Sequence, residues 1–215
     1  SIWTMMQAFI SIATWFLFFV AIEHLGEKAL AISNILRGLS SLPYMIAMAL
    51  GAAANSITSN LIGDNKSDEV MRAAKKAIVM AYGFGLICEL LMFAFPVASM
   101  NIYTDNAALI QDALPAFYAM LTIYLTIVPG TILFNVVSGT GDTKKAMYME
   151  LISITFYMAN VWYVVVYLKA DLAWCWTCEH SYNIVLFWLA YRHLKKLCFS
   201  PFQHDGKKTL CSRAV

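Results

Sequence analysis

The sequence predicts an all-α membrane protein, a bundle of six transmembrane helices. Three observations predict it. Hydrophobic residues make up 60% of the 215 positions and charged residues 13%, where soluble domains run near 45–50% and 25%. Six apolar runs are each long enough for the roughly 20 residues that a bilayer core of about 30 Å requires. Most of the basic residues, finally, fall in alternate connections between those runs.

The runs cover approximately residues 2–22, 29–62, 73–96, 108–137, 146–168 and 172–194, so that 1–197 reads as one transmembrane unit and 198–215 as a polar tail. Ser1 opens directly into apolar sequence without a signal-peptide layout, which suggests a piece that begins inside a larger protein. The second and fourth runs carry Pro43 and Pro129. A proline frees a carbonyl and bends a spanning helix, so each marks either a packing kink or a hinge. Gly51-Ala-Ala-Ala54 should let the second helix lie close against a neighbour.

Lys66, Arg72, Lys75 and Lys76 follow the second run, and Lys144 and Lys145 follow the fourth. The C-terminal end holds six more basic residues, whereas the other connections hold only Lys28 and Lys169. By the positive-inside tendency the even connections and the tail face the cytoplasm. A multi-pass integral membrane protein in contact with lipid, and with no nucleic-acid partner, is therefore expected; its location is taken to be a bacterial cytoplasmic (inner) membrane.

Polar groups at membrane depth are costly, and they usually face a bundle interior or a wet cavity. Here several fall at helical spacing. Gln7, Ser11 and Thr14 share a face of the first run. Asn34, Arg37, Ser41, Tyr44, Met48, Asn55 and Ser59 form a stripe on the second. Glu150, Ser153, Tyr157 and Asn160 line the fifth, and Cys175, Glu179 and Tyr182 the sixth. A carboxyl at that depth must be neutral, paired or hydrated, and it can take up a proton or sodium ion on one side and release it on the other. Glu150 and Glu179 are the leading candidates. Glu89, in the middle of the third run, is a coupling group or a structural one. Arg37 is the natural charge partner for an acid, in a functional pair or a plain salt bridge. Tyr44, Met48, Tyr118 and Tyr157 would offer ring faces and adaptable thioether surface to an organic cation, or simply pack.

Cys175-Trp-Thr-Cys178, with His180 nearby, has the form of a metal pair, but a structural zinc site would need further ligands. The cysteines read as residues of membrane helices. Gly139-Thr-Gly141-Asp142 spells the GxGD of intramembrane aspartyl proteases. That chemistry needs a second deep aspartate sharing a proton, and Asp112 and Asp171 lie near span ends. The glycines instead permit a tight turn, and Asp142-Thr143 can cap the helix that follows. No nucleotide-binding glycine loop occurs, so an ion gradient or a partner must drive any transport.

With these pieces placed, the chain resembles the C-terminal half of a MATE (multidrug and toxic compound extrusion) transporter. The resemblance rests on "EHLGEKALAISNI" (23–35), "SNLIGDNKSDEVMRAAKKA" (59–77), "SGTGDTKKA" (138–146) and "WCWTCEHSYNIV" (174–185), in that order. It implies helices seven to twelve of a two-lobed antiporter, not an enzyme. The partner would be an N-terminal six-helix lobe, the cargo small organic cations, and the only cofactor a coupling Na+ or H+. A lipid or oligosaccharide-lipid flippase of the same broad group is the alternative, and several acids against one arginine in the spans favour cationic cargo. One departure stands out. Positions where some family members carry cation-binding acids fall near Ser11 and Ile127, neither of which bears charge.

Overall fold

The computed structural model describes residues 2–168 and 170–199. From residue 200 on, the expected tail lies outside the described residues, as does Lys169, while positions 198 and 199 belong to the last helix. Six long helices correspond to the six apolar runs: α1 (Ile2–Glu23), α2 (Glu27–Gly63), α3 (Val70–Ala94), α5 (Ala107–Gly139), α6 (Thr143–Val161) and α7 (Leu172–Phe199). A short α4 (Pro96–Asn101) was not expected. It forms because Pro96 supplies no N–H to extend α3 but suits the first turn of a new helix.

At 37 residues α2 is about 55 Å long, so its ends pass beyond a bilayer core. At 19 residues α6 reaches only about 28 Å, and a π-helical stretch, Trp162–Tyr167, completes the crossing. By length and composition α2, α5 and the stretch Ser67–Ala94 qualify as membrane spans. α6 and α7 are diluted by polar residues such as Glu150, Asn160, Glu179 and Asn183, and α1 contributes the described apolar stretch Phe9–Glu23.

The central rod is α5, with 61% of its most apolar stretch buried against 22% in α2. Small residues bring α2 onto it: Ala47 and Ala54 are buried among Val128, Ile132, Leu133 and Val136. Gly51 faces the Asn135 amide, and a Cβ on Gly139 would stand 2.5 Å from the Asn55 carbonyl oxygen. Ser59 Oγ donates to the Gly139 carbonyl at 2.9 Å. The expected close approach at Gly51–Ala54 is present, and Gly139 serves it from the other side.

The turn after α5 departs from expectation. Gly139 ends the helix, and only Gly141, at φ +87°, needs the left-handed backbone that glycine tolerates. Asp142 occupies the N-cap position of α6, and Thr143 follows it, but Asp142 makes no side-chain cap. Its carboxylate is drawn to Lys145 Nζ at 2.9 Å and to His193 Nε2 of α7 at 3.1 Å. The Lys145 ammonium outcompetes a helix N–H here, and the approach of His193 brings the α6 start against α7.

Pro43 and Pro129 sit within continuous helices, as does Pro115 of α5. Around Pro129 the neighbouring rods are fitted closely. Tyr82 of α3 donates to the Leu125 carbonyl at 2.5 Å, and Tyr124 of α5 donates back to the Ala81 carbonyl at 2.9 Å. The two rings meet edge to face at 6.2 Å, and Gly85 leaves room for Tyr124.

Candidate functional site: a pair of buried carboxyls

The inner stripes of α6 and α7 meet beneath α1. Glu150, Ser153 and Tyr157 are all buried on α6, and Cys175 and Glu179 are buried on α7. Around them Phe18, Ile22, Val161 and Val165 exclude solvent. The hydroxyls of Ser11 and Tyr157 reach into this apolar seat. Ser11 of α1 donates to Glu150 Oε1 across 139 positions of sequence. Tyr157 donates to Glu179 Oε1 at 2.7 Å, and its ring meets Tyr182 edge to face at 6.1 Å. Tyr44 of α2 and Tyr182 of α7 each lie within electrostatic range of both carboxyls.

Glu150 of α6 and Glu179 of α7 are thus both buried, and they share Tyr44 and Tyr182 as neighbours. Two carboxylates in a dry pocket repel each other, and each gives up hydration. Buried carboxyls are eased by a bound proton or a hard cation, for which carboxyl and hydroxyl oxygens are suitable ligands.

The remaining expectations are distributed differently. Glu89 is buried on the α3–α5 face beside Tyr124. Its Oε2 has no hydrogen-bond partner among the described residues. Arg37 is exposed and pairs with no acid among the described residues; its guanidinium instead sits over the Phe19 ring, 5.2 Å from the centroid. The aromatic face lies closer along the α1–α2 contact, and a cation above it keeps its hydration on the open side. Tyr44 and Met48 are each about two-fifths exposed on one side of α2. Tyr118, equally exposed, packs against Phe93 and Phe117. Tyr157 is committed to Glu179. The four aromatic and methionine candidates thus do not form one wall: two adjoin the acids, Met48 continues along α2, and Tyr118 stands on the α3 side.

Cys175, Cys178 and His180 do not converge. Both thiols point to backbone carbonyls of Ala170 and Trp174, and the His180 ring lies between Thr122 and Thr126 of α5, 3.0 Å from each hydroxyl. That α5–α7 link and the Ser11 contact were not anticipated. Ser11 carried a signal as a member of the α1 polar stripe. His180 had none beyond its depth in a span.

Comparison with known proteins adds two findings. The family model MatE matches residues 4–163, a stretch that contains Ser11, Glu89 and Glu150 and stops before Glu179. No curated protein matches the chain.

Proposed function

From the premise that this chain belongs to the MatE family, and so to membrane transporters rather than enzymes, we propose that it is the C-terminal lobe of a cation-coupled antiporter. The Glu150–Glu179 pocket would be its coupling site. In this reading Na+ or H+ entering the pocket neutralises the pair and lets α1, α6 and α7 close on one another. An organic cation drawn to the same negative field competes with the coupling ion. Each therefore favours a different arrangement of the lobe, and differential binding of this kind is what shifts a two-state equilibrium. Outward release of cargo is then linked to inward flow of the ion across the inner membrane. A second six-helix lobe would supply the rest of the chamber, and no cofactor beyond the ion is required.

One observation carries the reading: Ser11 holds Glu150. Ser11 stands near the position where some family members place an acid on this helix. Glu150 brings a carboxylate to that place from α6, so a charge absent from α1 is restored across a helix contact. The exposed Tyr44 near the acids, with Met48 one turn further along α2, would supply a surface suited to a flat cation.

The test is ion-driven efflux of ethidium by the complete transporter in inside-out vesicles, with Na+ and proton gradients imposed separately. Glu150→Gln and Glu179→Gln should each abolish dependence on the coupling gradient. Full ion-dependent efflux in both variants would remove the pocket from the mechanism.

A further inference from the structure

We propose that the basic face at the start of α3 is a seat for one anionic phospholipid, its phosphate held by Arg72, Lys75 and Lys76 and its acyl chains lying along the helix below. These three residues line a single open groove of about 390 Å³ together with Val79 and Met80. The spacing i, i+3, i+4, i+7, i+8 puts all five on one helix face. All three cations are exposed, and none forms an ion pair among the described residues. Asp68 and Glu69, in the 3-10 turn just before α3, do not pair with them.

Below the cations the same face turns wholly apolar. Met80, Phe84, Ile87 and Leu91 follow at i, i+4, i+7 and i+11, and each is exposed. From Lys76 to Ile87 the helix descends about 16 Å, close to half of a bilayer core of about 30 Å. The one acid of this region, Glu89, turns inward and is buried. A soluble anion would use the cations and leave the apolar track idle, whereas a phospholipid uses both. Three clustered charges also prefer a net negative headgroup over a zwitterionic one.

The experiment is native mass spectrometry of the full chain in detergent with equimolar palmitoyl-oleoyl phosphatidylglycerol and phosphatidylcholine. Phosphatidylglycerol adducts should dominate, and Arg72→Gln/Lys75→Gln/Lys76→Gln should abolish the preference. Single replacement of exposed Lys75 should lower the apparent affinity for phosphatidylglycerol about fivefold, and this holds the test open if the triple variant fails to fold. Lys66→Gln, in the preceding connection, should change nothing. Equal retention of the two lipids by the unaltered chain overturns the proposal. So does an equal loss on Lys66→Gln, which would mean diffuse surface charge. Displacement of phosphatidylglycerol by equimolar glycerol 3-phosphate would overturn it too, since the site would then read a free phosphate.

Discussion

Tyr82 of α3 donates its hydroxyl proton to the carbonyl of Leu125, four residues before Pro129. In an α-helix that carbonyl would accept from the N–H of residue 129, and proline has none. A tyrosine of the neighbouring helix thus fills the hydrogen bond that the proline removes. Tyr124 returns the favour to the Ala81 carbonyl, so α5 just before Pro129 is clasped to α3 from both sides.

This relationship predicts a coupled pair of mutations. Tyr82→Phe should speed hydrogen exchange along α5 near residue 129 and destabilise the chain by about 1 kcal/mol. In a Pro129→Ala background the same substitution should cost much less, because residue 129 then supplies the missing donor. Equal costs in the two backgrounds, by thermal unfolding in detergent, would make Tyr82 an ordinary packing residue.

Much of this architecture was legible in the sequence because hydropathy and helical period depend on local pattern. Most ends of the long helices fall within about three positions of the apolar runs, although α6 gives way to the π-helical stretch at Trp162 and α7 runs on to Phe199; Gly51–Ala54 announced a close crossing. Glu150, Tyr157 and Glu179 were legible as members of polar stripes. The rotation of each helix against its neighbours was not, since register is set by packing between distant segments; hence Ser11 against Glu150 could not be read. The Tyr82 contact was hidden for another reason, its acceptor being a backbone carbonyl. Arg37 and Asp142 misled because a charged group has several partners within reach. Phe19 took the first, and Lys145 with His193 the second.

If Glu150 and Glu179 form the coupling site, removing the α1 donor should weaken ion binding without unfolding the bundle. A hydrogen bond to a charged acceptor contributes about 1.5–3 kcal/mol, so Ser11→Ala should lower apparent affinity for the coupling ion about tenfold or more. Ser11→Thr, which keeps the hydroxyl, should restore most of it. The readout is the ion concentration at half-maximal efflux in the complete transporter. A lower maximal rate at unchanged ion affinity would count against a role for Ser11 in ion binding.

Tyr157 tests whether the two acids act as one site. Its hydroxyl serves Glu179, while its ring packs at 6.2 Å from Phe18 beneath α1. Tyr157→Phe keeps the packing and removes only the donor, so stability should fall by about 1 kcal/mol or less while ion dependence shifts. In the double variant with Glu179→Gln the hydroxyl should matter little, because the charge it served is gone. Additive effects on ion affinity would separate Tyr157 from Glu179.

The glycines give the sharpest contrast in stability, because the structure assigns them different tasks. A methyl on Gly139 would meet the Asn55 carbonyl oxygen at 2.5 Å and the Thr58 Cβ at 3.0 Å. Backbone and a β-branched carbon cannot swing aside, so α2 must move off α5, at a cost of about 1–3 kcal/mol. A methyl on Gly141 meets nothing within 4 Å, but it must adopt φ +87°, at about 1 kcal/mol. On Gly83, in the body of α3, a methyl likewise meets nothing within 4 Å; there alanine should stabilise by about 0.5–1 kcal/mol through helix propensity. The expected order of melting temperatures in detergent is therefore Gly83→Ala above the unaltered chain, then Gly141→Ala, then Gly139→Ala. If Gly139→Ala melts with the unaltered chain, α2 and α5 are not in the close contact on which the packing of this bundle rests.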